Sequence, residues 1–492
     1  MSELNVNFDE NKLKKRDALL KKGINLYPHN YKREIGFKEI KELYKDIGHE
    51  KSKKTVVIAG SVQVIRRHGR TIFVDLKDET GYLQLYLRED SLGKEKFQFF
   101  KDYVDSGDII GANGNVFRTK LGEISIWVND FLILAKSLSL LPEKYHGLKD
   151  VAKRYRNRYI DLRINDESRN IFRIRSKIIS LIRTYLEKKD FLEFETPILQ
   201  PIYGGANARP FTTHHKFLDQ NFFLRIAPEL YLKRLIVGGF EKVFEIAKNF
   251  RNEDIDTLHN PEFTMVEIYE AYRDYFNMMD MCEDLISKII LEINGTCEIR
   301  CGDSVINFKP PWKRISMESA LIEYEGIEVL KCSLNELKKM ANAKEIVDYE
   351  NAHTHGDFLI LFFETLVEKK LKDPAFIYDF PIENSPLAKK HRTKKGFTER
   401  FELFINGWEI ANGFSELNDP LDQKERFENQ EKRRLQGDPE AQMIDTDYLN
   451  ALGLGMPPTG GIGIGIDRLV MLATNNTSIK EVILFPQMKK IV

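Results

Sequence analysis

Thr459-Gly460-Gly461-Ile462-Gly463-Ile464-Gly465-Ile466-Asp467-Arg468, running on into Leu469-Val470-Met471-Leu472, is the stretch on which the reading of this chain turns. Glycines at 460, 461, 463 and 465 strip side chains from a strand that is otherwise isoleucine, so another group can lie against bare backbone. The strand should run straight into a helix with Arg468 in its first turn, where a guanidinium offers phosphate a fixed fork of donors. A glycine-rich turn with a solvated arginine is the plainer alternative. A second arginine block far upstream, Phe250-Arg251-Asn252-Glu253, suits the same ligand and favours phosphate.

Working outward, the chain of 492 residues is long enough for two or three domains. Its 42% hydrophobic and 30% charged residues are those of an ordinary globular protein. No apolar run approaches the roughly 20 residues that a membrane span requires. Met1 to Arg16 is polar, with no apolar core to make a secretory signal, so a cytoplasmic protein without membrane contact is expected. The four cysteines (Cys282, Cys297, Cys301, Cys332) are too scattered for a disulfide framework, and no second pair or histidine cluster turns Cys297 and Cys301 into a zinc site. Basic and acidic residues balance at 75 each, so only local patches can argue for or against nucleic acid.

Residues 1–54 read as a charged helical segment anchored by Leu19, Leu20 and Leu43. From residue 55 to about 145 the pattern changes to short alternating strands, clearest at 56–62, 71–76, 82–87 and 124–128, as expected for a small closed barrel of the OB type. Alternation puts Leu83, Leu85 and Leu87 on one face and Tyr82, Gln84 and Tyr86 on the other. It also leaves Phe73 outward between Ile72 and Val74. An outward phenylalanine beside a glutamine can stack one base and read its edge; packing of Phe73 under a loop is the alternative. The stretch 146–169 is basic: Asp150 to Arg163 interleaves five Lys and Arg with two tyrosines, and reads equally as a solvated linker helix or a phosphate-tracking hinge. Residues 170–492 mix strands and helices with antiparallel hairpins, an α+β domain rather than a doubly wound sheet. It opens with a helix from Asn170 carrying a stripe of Ile171, Ile174, Ile178, Leu181, Ile182, Tyr185 and Leu186, and then a strand closed by Pro197.

Two hairpins carry the chemistry. If 243–250 pairs with 262–272, one surface holds Arg251, Glu253, Phe263, Glu267 and Tyr269, charged and aromatic where aliphatic residues are the rule. Like charges there require a cationic ligand or metal. The second hairpin, 400–405 and 408–417, turns at Asn406-Gly407 and sets Glu402 near Glu409, a pair suited to Mg²⁺ shared with phosphates. Asn412, Phe414 and Glu416 fall on the opposite parity, so a bulge near Gly413 is needed to bring all five together. Two arginines, a stacking plane at Phe263 and an acidic pair imply ATP without a Walker loop. The surplus acids Glu229, Glu267 and Glu416, converging with Tyr269 and Asn412, suit a small molecule with more than one ammonium group.

With these residues in place, the chain resembles the class II aminoacyl-tRNA synthetases over nearly its whole length, and within them the lysyl branch of bacterial type (subclass IIb). The helix from Asn170 with the Pro197 strand, 250–263 and 461–468 correspond to the three class motifs. Segments 225–233, 259–263 and 413–419 are those typical of the lysyl branch. The resemblance implies an OB-fold anticodon domain followed by a catalytic domain built on an antiparallel sheet flanked by helices. It implies ATP and Mg²⁺ as cofactors, L-lysine and tRNA(Lys) as partners, and a homodimer formed through the first motif. It assigns Arg251 to the lysine carboxylate and α-phosphate, Arg468 and His259 to the γ-phosphate end, and Glu253, Asn260 and Phe263 to the nucleotide. Asn412 would also touch the lysine carboxylate, Gly205, Glu229 and Glu267 would receive the α-ammonium, and Glu416 with Tyr269 the ε-ammonium. Phe414 would line the aliphatic stem, and Glu402 and Glu409 would ligate the metal. Phe73, Gln84 and Glu123 match positions that read anticodon uridines. An aspartyl or asparaginyl enzyme shares the three motifs but needs a cation where Glu416 stands; a lysine-transferring paralogue would lack the barrel, and a non-catalytic one would lack the site.

Overall fold

The computed structural model describes residues 8–140, 150–438 and 440–489. The expected end of the barrel domain and start of the basic stretch, at 141–149, lie outside the described residues. The chain divides into two compact units, one within 1–148 and one within 149–492.

In the first unit five strands close a barrel in the order β1-β2-β3-β5-β4: β1 (Thr55–His68), β2 (Thr71–Lys77), β3 (Tyr82–Arg88), β4 (Ile109–Arg118) and β5 (Ile124–Ala135). Strict alternation sends Ile72, Val74, Leu76, Leu83, Leu85 and Leu87 inward, all buried. Strand β4 gave little signal because its glycines and asparagines (Gly111, Asn113, Gly114, Asn115) interrupt the apolar pattern; Gly111 is required because the Tyr31 ring lies where a Cβ would stand. Helices α1 (Glu10–Lys21) and α2 (Phe37–Leu43) join the same core through Leu19, Phe37 and Ile40, and the segment between them through Leu26. Two of the three expected anchors are therefore wrong: Leu20 is 43% and Leu43 66% exposed, since each lies on the solvent side of its helix.

The second unit is α+β, built on an eight-stranded, mostly antiparallel sheet. Its strands are β6 (Leu192–Glu193), β7 (Lys242–Phe250), β8 (Glu262–Ala271), β9 (Lys313–Ser316), β10 (Ala375–Pro381), β11 (Phe397–Ile405), β12 (Trp408–Ser415) and β13 (Thr459–Gly465), ordered β9-β10-β11-β12-β13-β8-β7-β6. The two edge pairs, β9 with β10 and β6 with β7, are parallel. Helices α3 (Asp166–Glu187), α4 (Tyr275–Asn294) and α5 (Ile466–Ala473) close one face over a core that includes Ile178, Ile268, Ile286, Phe401, Leu403, Ile462, Ile464 and Leu469. Helix α3 starts at Asp166, four residues before the expected Asn170, because the Asn165 side chain caps it by accepting from the Glu167 amide. The expected strand after it shrinks to two residues of β6.

The basic stretch from Asp150 is neither a solvated helix nor a row of free cations. It forms two short helices, Val151–Arg156 and Arg158–Ile164. Arg158 is fully buried, bonding Asp161 at 2.8 Å and the backbone carbonyl of Lys480 at 2.8 Å. Arg154 and the Tyr155 hydroxyl both reach the Glu481 carboxylate. These side chains are spent on docking the C-terminal segment.

Candidate active site

The face of the sheet away from α3, α4 and α5 carries the site. In β13 the residues pointing to the helices are Ile462 and Ile464, and those pointing away are Gly461, Gly463 and Gly465. Gly461 lies between Tyr269 of β8 and Phe414 of β12, and Gly463 between Glu267 and Asn412. The floor of the site is thus bare backbone. A Cβ at Gly461 would run into the Glu416 carboxylate and stand 2.7 Å from the Tyr269 ring; one at Gly463 would stand 2.5 Å from the Met265 methyl.

The expected parity conflict in the second hairpin is resolved by a bulge, at Ile410 rather than near Gly413. Leu403 faces Ala411 while Phe404 faces Glu409, leaving Ile410 as the extra residue. Ile410 and Ala411 both turn into the core behind the sheet. That double step sets Glu409, Asn412 and Phe414 on the face of Glu402. The turn at Asn406-Gly407 has φ of 56° and 70°, as a two-residue hairpin demands.

One cavity of about 380 Å³ collects the expected residues of this unit: Gly205, Glu229, Arg251, Glu253, His259, Asn260, Phe263, Glu267, Tyr269, Glu402, Glu409, Asn412, Phe414, Glu416 and Arg468 all line it. At one end the Arg251 guanidinium lies 5.0 Å from the Phe263 ring centre, and its Nε is buried without a hydrogen-bond partner. Arg468 donates to the Glu409 carbonyl at 2.5 Å and meets His259 Nε2 at 3.1 Å, while His259 Nδ1 is 2.8 Å from Asp256. That chain makes Nε2 the acceptor and Nδ1 the donor, a tautomer assigned from the network. An unsatisfied arginine donor beside an aromatic plane is what a nucleotide phosphate and base require.

In the middle, the Asn412 amide lies 3.1 Å from Glu402 and 3.5 Å from Glu409, so the two carboxylates converge on one point. Arg400 fixes that amide by donating to its oxygen at 3.2 Å, and pairs with Glu402 at 2.6 Å. Burial, then the neighbouring Glu409, push the Glu402 carboxyl up to about 8. Among the described residues no cluster of three or more metal-ligating side chains exists. Two carboxylates held together against their mutual repulsion nonetheless fit Mg²⁺, whose remaining ligands are ordinarily phosphate and water.

The far end is an acidic cup. Glu229, at the start of α6 (Glu229–Val237), Glu267 and Glu416 are all buried. Burial, then the charge of Glu229, push the Glu267 carboxyl up to about 8, although the Tyr269 hydroxyl donates to it at 2.8 Å. Burial also raises Glu229 and Glu416. Gly205, at φ 91°, approaches Glu229 closely, and its amide donates to Gln442 at 3.2 Å.

Five supporting residues escaped the sequence reading: Lys233, Arg175, Thr264, Asp467 and Gln442. Lys233 is fully buried between Glu229 and Glu416; its spacing of four from Glu229 on a helix was a usable signal. Arg175 on α3 donates to Asp467 at 2.5 Å and to the Thr264 hydroxyl at 3.0 Å, and Asp467 accepts the Thr264 amide at 2.6 Å. This tie joins three segments far apart in sequence and left no local trace. Nor did Gln442, whose partner Gly205 lies over 200 residues away.

On the barrel, Phe73 stays on the outer face, 5.0 Å from Tyr86. Gln84 is on the same face but largely buried, accepting from Ser125 at 3.0 Å and donating to Glu123 at 3.3 Å. With Arg66, Asp75, Tyr82 and Leu83, Gln84 and Glu123 line a small hollow.

Residues 150–489 match the tRNA synthetases class II (D, K and N), and residues 56–134 the OB-fold nucleic acid binding domain. The chain belongs to the class II tRNA synthetases, an ATP-consuming ligase family. Its individual relatives are more specific. It is 61% identical over 482 residues to the lysine–tRNA ligase of Methanoculleus marisnigri, across 98% of this chain and 95% of that one. It is 60% identical over 484 residues to lysine–tRNA ligase 2 of Methanosarcina mazei, across 98% and 94%. The lysine–tRNA ligase of Syntrophomonas wolfei is 51% identical over 492 residues, across 99% of each.

Proposed function

We propose that this protein attaches L-lysine to tRNA(Lys) in two steps at the expense of ATP. The observation that carries the reading is the cup of three buried carboxylates set on a glycine floor beside Arg251 and Arg468. Burying three acids is costly unless cations arrive, and a diamino acid brings two. Glu416 and Tyr269 receive the ε-ammonium, Gly205, Glu229 and Glu267 the α-ammonium, and Phe414 lines the stem. Arg251 and Asn412 orient the carboxylate toward the α-phosphate. Phe263, Glu253 and Asn260 hold the nucleoside end, and Arg468 with His259 the terminal phosphate.

In the first step a lysine carboxylate oxygen attacks the α-phosphorus in line and pyrophosphate leaves. In the second the 3′-terminal hydroxyl of tRNA attacks the lysyl carbonyl and AMP leaves. No side-chain nucleophile is needed; positioning and charge neutralisation lower the barrier. Glu402 and Glu409 are the residues that would hold Mg²⁺, which supplies positive charge against the phosphates. The barrel face of Phe73, Gln84 and Glu123 takes the anticodon, by stacking and edge contacts. An acid at 416 argues against an aspartyl or asparaginyl substrate, whose side chain would leave that carboxylate unpaired.

A homodimer through α3 and the segment after it agrees with the exposed Leu192, Ile198 and Leu199 there, and sedimentation of a monomer at working concentration would refute it. Among the described residues no helix is long and apolar enough to cross a membrane, and a cytoplasmic location is part of the same reading. The experiment that tests the whole is ATP–pyrophosphate exchange with each of the twenty amino acids. Lysine alone should support rapid exchange; exchange with another amino acid and not lysine would overturn the assignment.

A further inference from the structure

Among the described residues, Lys233 is the one cation bonded to the acids of the cup that the lysine reading leaves without a task. Its side chain is fully buried, its ammonium is 2.5 Å from Glu229 and in direct contact with one oxygen of Glu416, and it lies 5.2 Å from the Phe414 ring. It is not among the residues lining the cavity, whereas Glu229 and Glu416 are, so it sits behind the two acids rather than in the ligand's place. The second oxygen of Glu416, over Gly461, is buried with no hydrogen-bond partner. One oxygen is committed to the protein's own ammonium and the other is open to a ligand's.

Charge makes the arrangement specific. Two other pairs nearby are self-compensating: the buried Arg225 with Glu245 at 2.5 Å and the half-buried Arg400 with Glu402 at 2.6 Å. What remains, once an arriving ammonium has ionised Glu267, is three carboxylates (Glu229, Glu267, Glu416) less one ammonium (Lys233), a deficit of two, equal to the two ammonium groups of a diamino acid. Burial by itself would pull the Lys233 ammonium toward neutrality, but Glu229 and Glu416 more than reverse this and hold it charged.

We propose that Lys233 is a permanent internal counter-ion of the amino-acid cup, which holds the Glu229 and Glu416 carboxylates in position and sets the cup's net charge to minus two, one negative charge for each ammonium group of a diamino acid. It touches no reacting atom and is a positioning residue. The inference rests on the lysine reading above. If the unaltered protein shows no lysine-dependent exchange, that reading fails; the inference about Lys233 is judged only against a protein that activates lysine.

The test is pyrophosphate exchange with Lys233→Met, which keeps the apolar stem and removes the charge. The KM for lysine should rise at least about tenfold while the KM for ATP stays within about twofold, because only the acidic cup is disturbed. A lysine KM within twofold of the unaltered protein would overturn the proposal, as would a matched rise in both constants. The double variant Glu229→Gln/Lys233→Met restores the deficit of two. It should bind lysine at least about threefold better than Lys233→Met alone, despite losing an α-ammonium contact. Equal or weaker binding would overturn the charge argument. Should the single variant fail to fold, the balanced double variant should still fold, by circular dichroism, and activate lysine; a second unfolded protein would mark Lys233 as a stability element only and end the proposal.

Discussion

Glu416 meets its surroundings through two oxygens with different duties, and Gly461 makes room for one of them. Glu416→Gln replaces a buried anion with a neutral amide, so kcat/KM for lysine in exchange should fall by on the order of 10³-fold with ATP binding little changed. Retention of near-normal lysine activation would remove Glu416 from the ε-ammonium contact. Gly461→Ala forces a methyl into the same carboxylate and against the Tyr269 ring. It should abolish lysine activation in a protein whose circular dichroism is unaltered, whereas a fully active Gly461→Ala enzyme would mean that the carboxylate lies elsewhere. Glu267 adds a pH dependence. Its carboxyl is raised to about 8 by burial and the charge of Glu229, so that part of stability which comes from keeping it protonated is complete below its ordinary value near 4.5 and is lost as pH rises through 8. An arriving ammonium favours the ionised form. Lysine binding at pH 7 should therefore release protons, read by calorimetry in buffers of different ionisation enthalpy, and should tighten between pH 6 and 8; uptake of protons would contradict the assignment.

At the scale of elements, the tie between α3, β8 and α5 through Arg175, Thr264 and Asp467 is the feature most exposed to test. Arg175→Met leaves the buried Asp467 charge with one backbone amide, so about 3 kcal/mol of stability should be lost, measured from denaturant midpoints. No change in midpoint would show that the ion pair is dispensable. The same scale explains what was legible in the sequence. The faces of β2, β3, β7 and β8 followed from period-two alternation, and the pairing of β7 with β8 followed from the hairpin. The bulge was legible as a contradiction, since Glu409 and Asn412 could not share a face without an extra residue; its place at Ile410 was not, because an isoleucine reads the same in a bulge as in regular strand. Leu20 and Leu43 misled because short, highly charged helices carry too few apolar positions to mark which side faces the core. Gln442 and the Arg175 tie depend on contacts between remote segments, for which local pattern holds no signal.

At the scale of the whole molecule, among the described residues the core of the first unit is built from residues 19 to 133 and those of the second from residue 178 onward. Activation and RNA recognition should therefore separate. A fragment beginning at residue 149 should keep pyrophosphate exchange within about tenfold of the full chain yet charge tRNA at least 100-fold more slowly. Phe73→Ala should slow charging and leave exchange untouched. Loss of exchange in the fragment would show that activation needs the barrel.

A pocket whose base is main chain is hard to reshape by swapping residues beneath the ligand, because a Cβ at 461 meets the Glu416 carboxylate and the Tyr269 ring, and one at 463 must displace the Met265 methyl. Any drift toward another amino acid must come from the walls, at Glu416 and Phe414 on one side and Glu267 and Tyr269 on the other. Redesign for a shorter or longer diamine should leave the strand of glycines alone and alter those four.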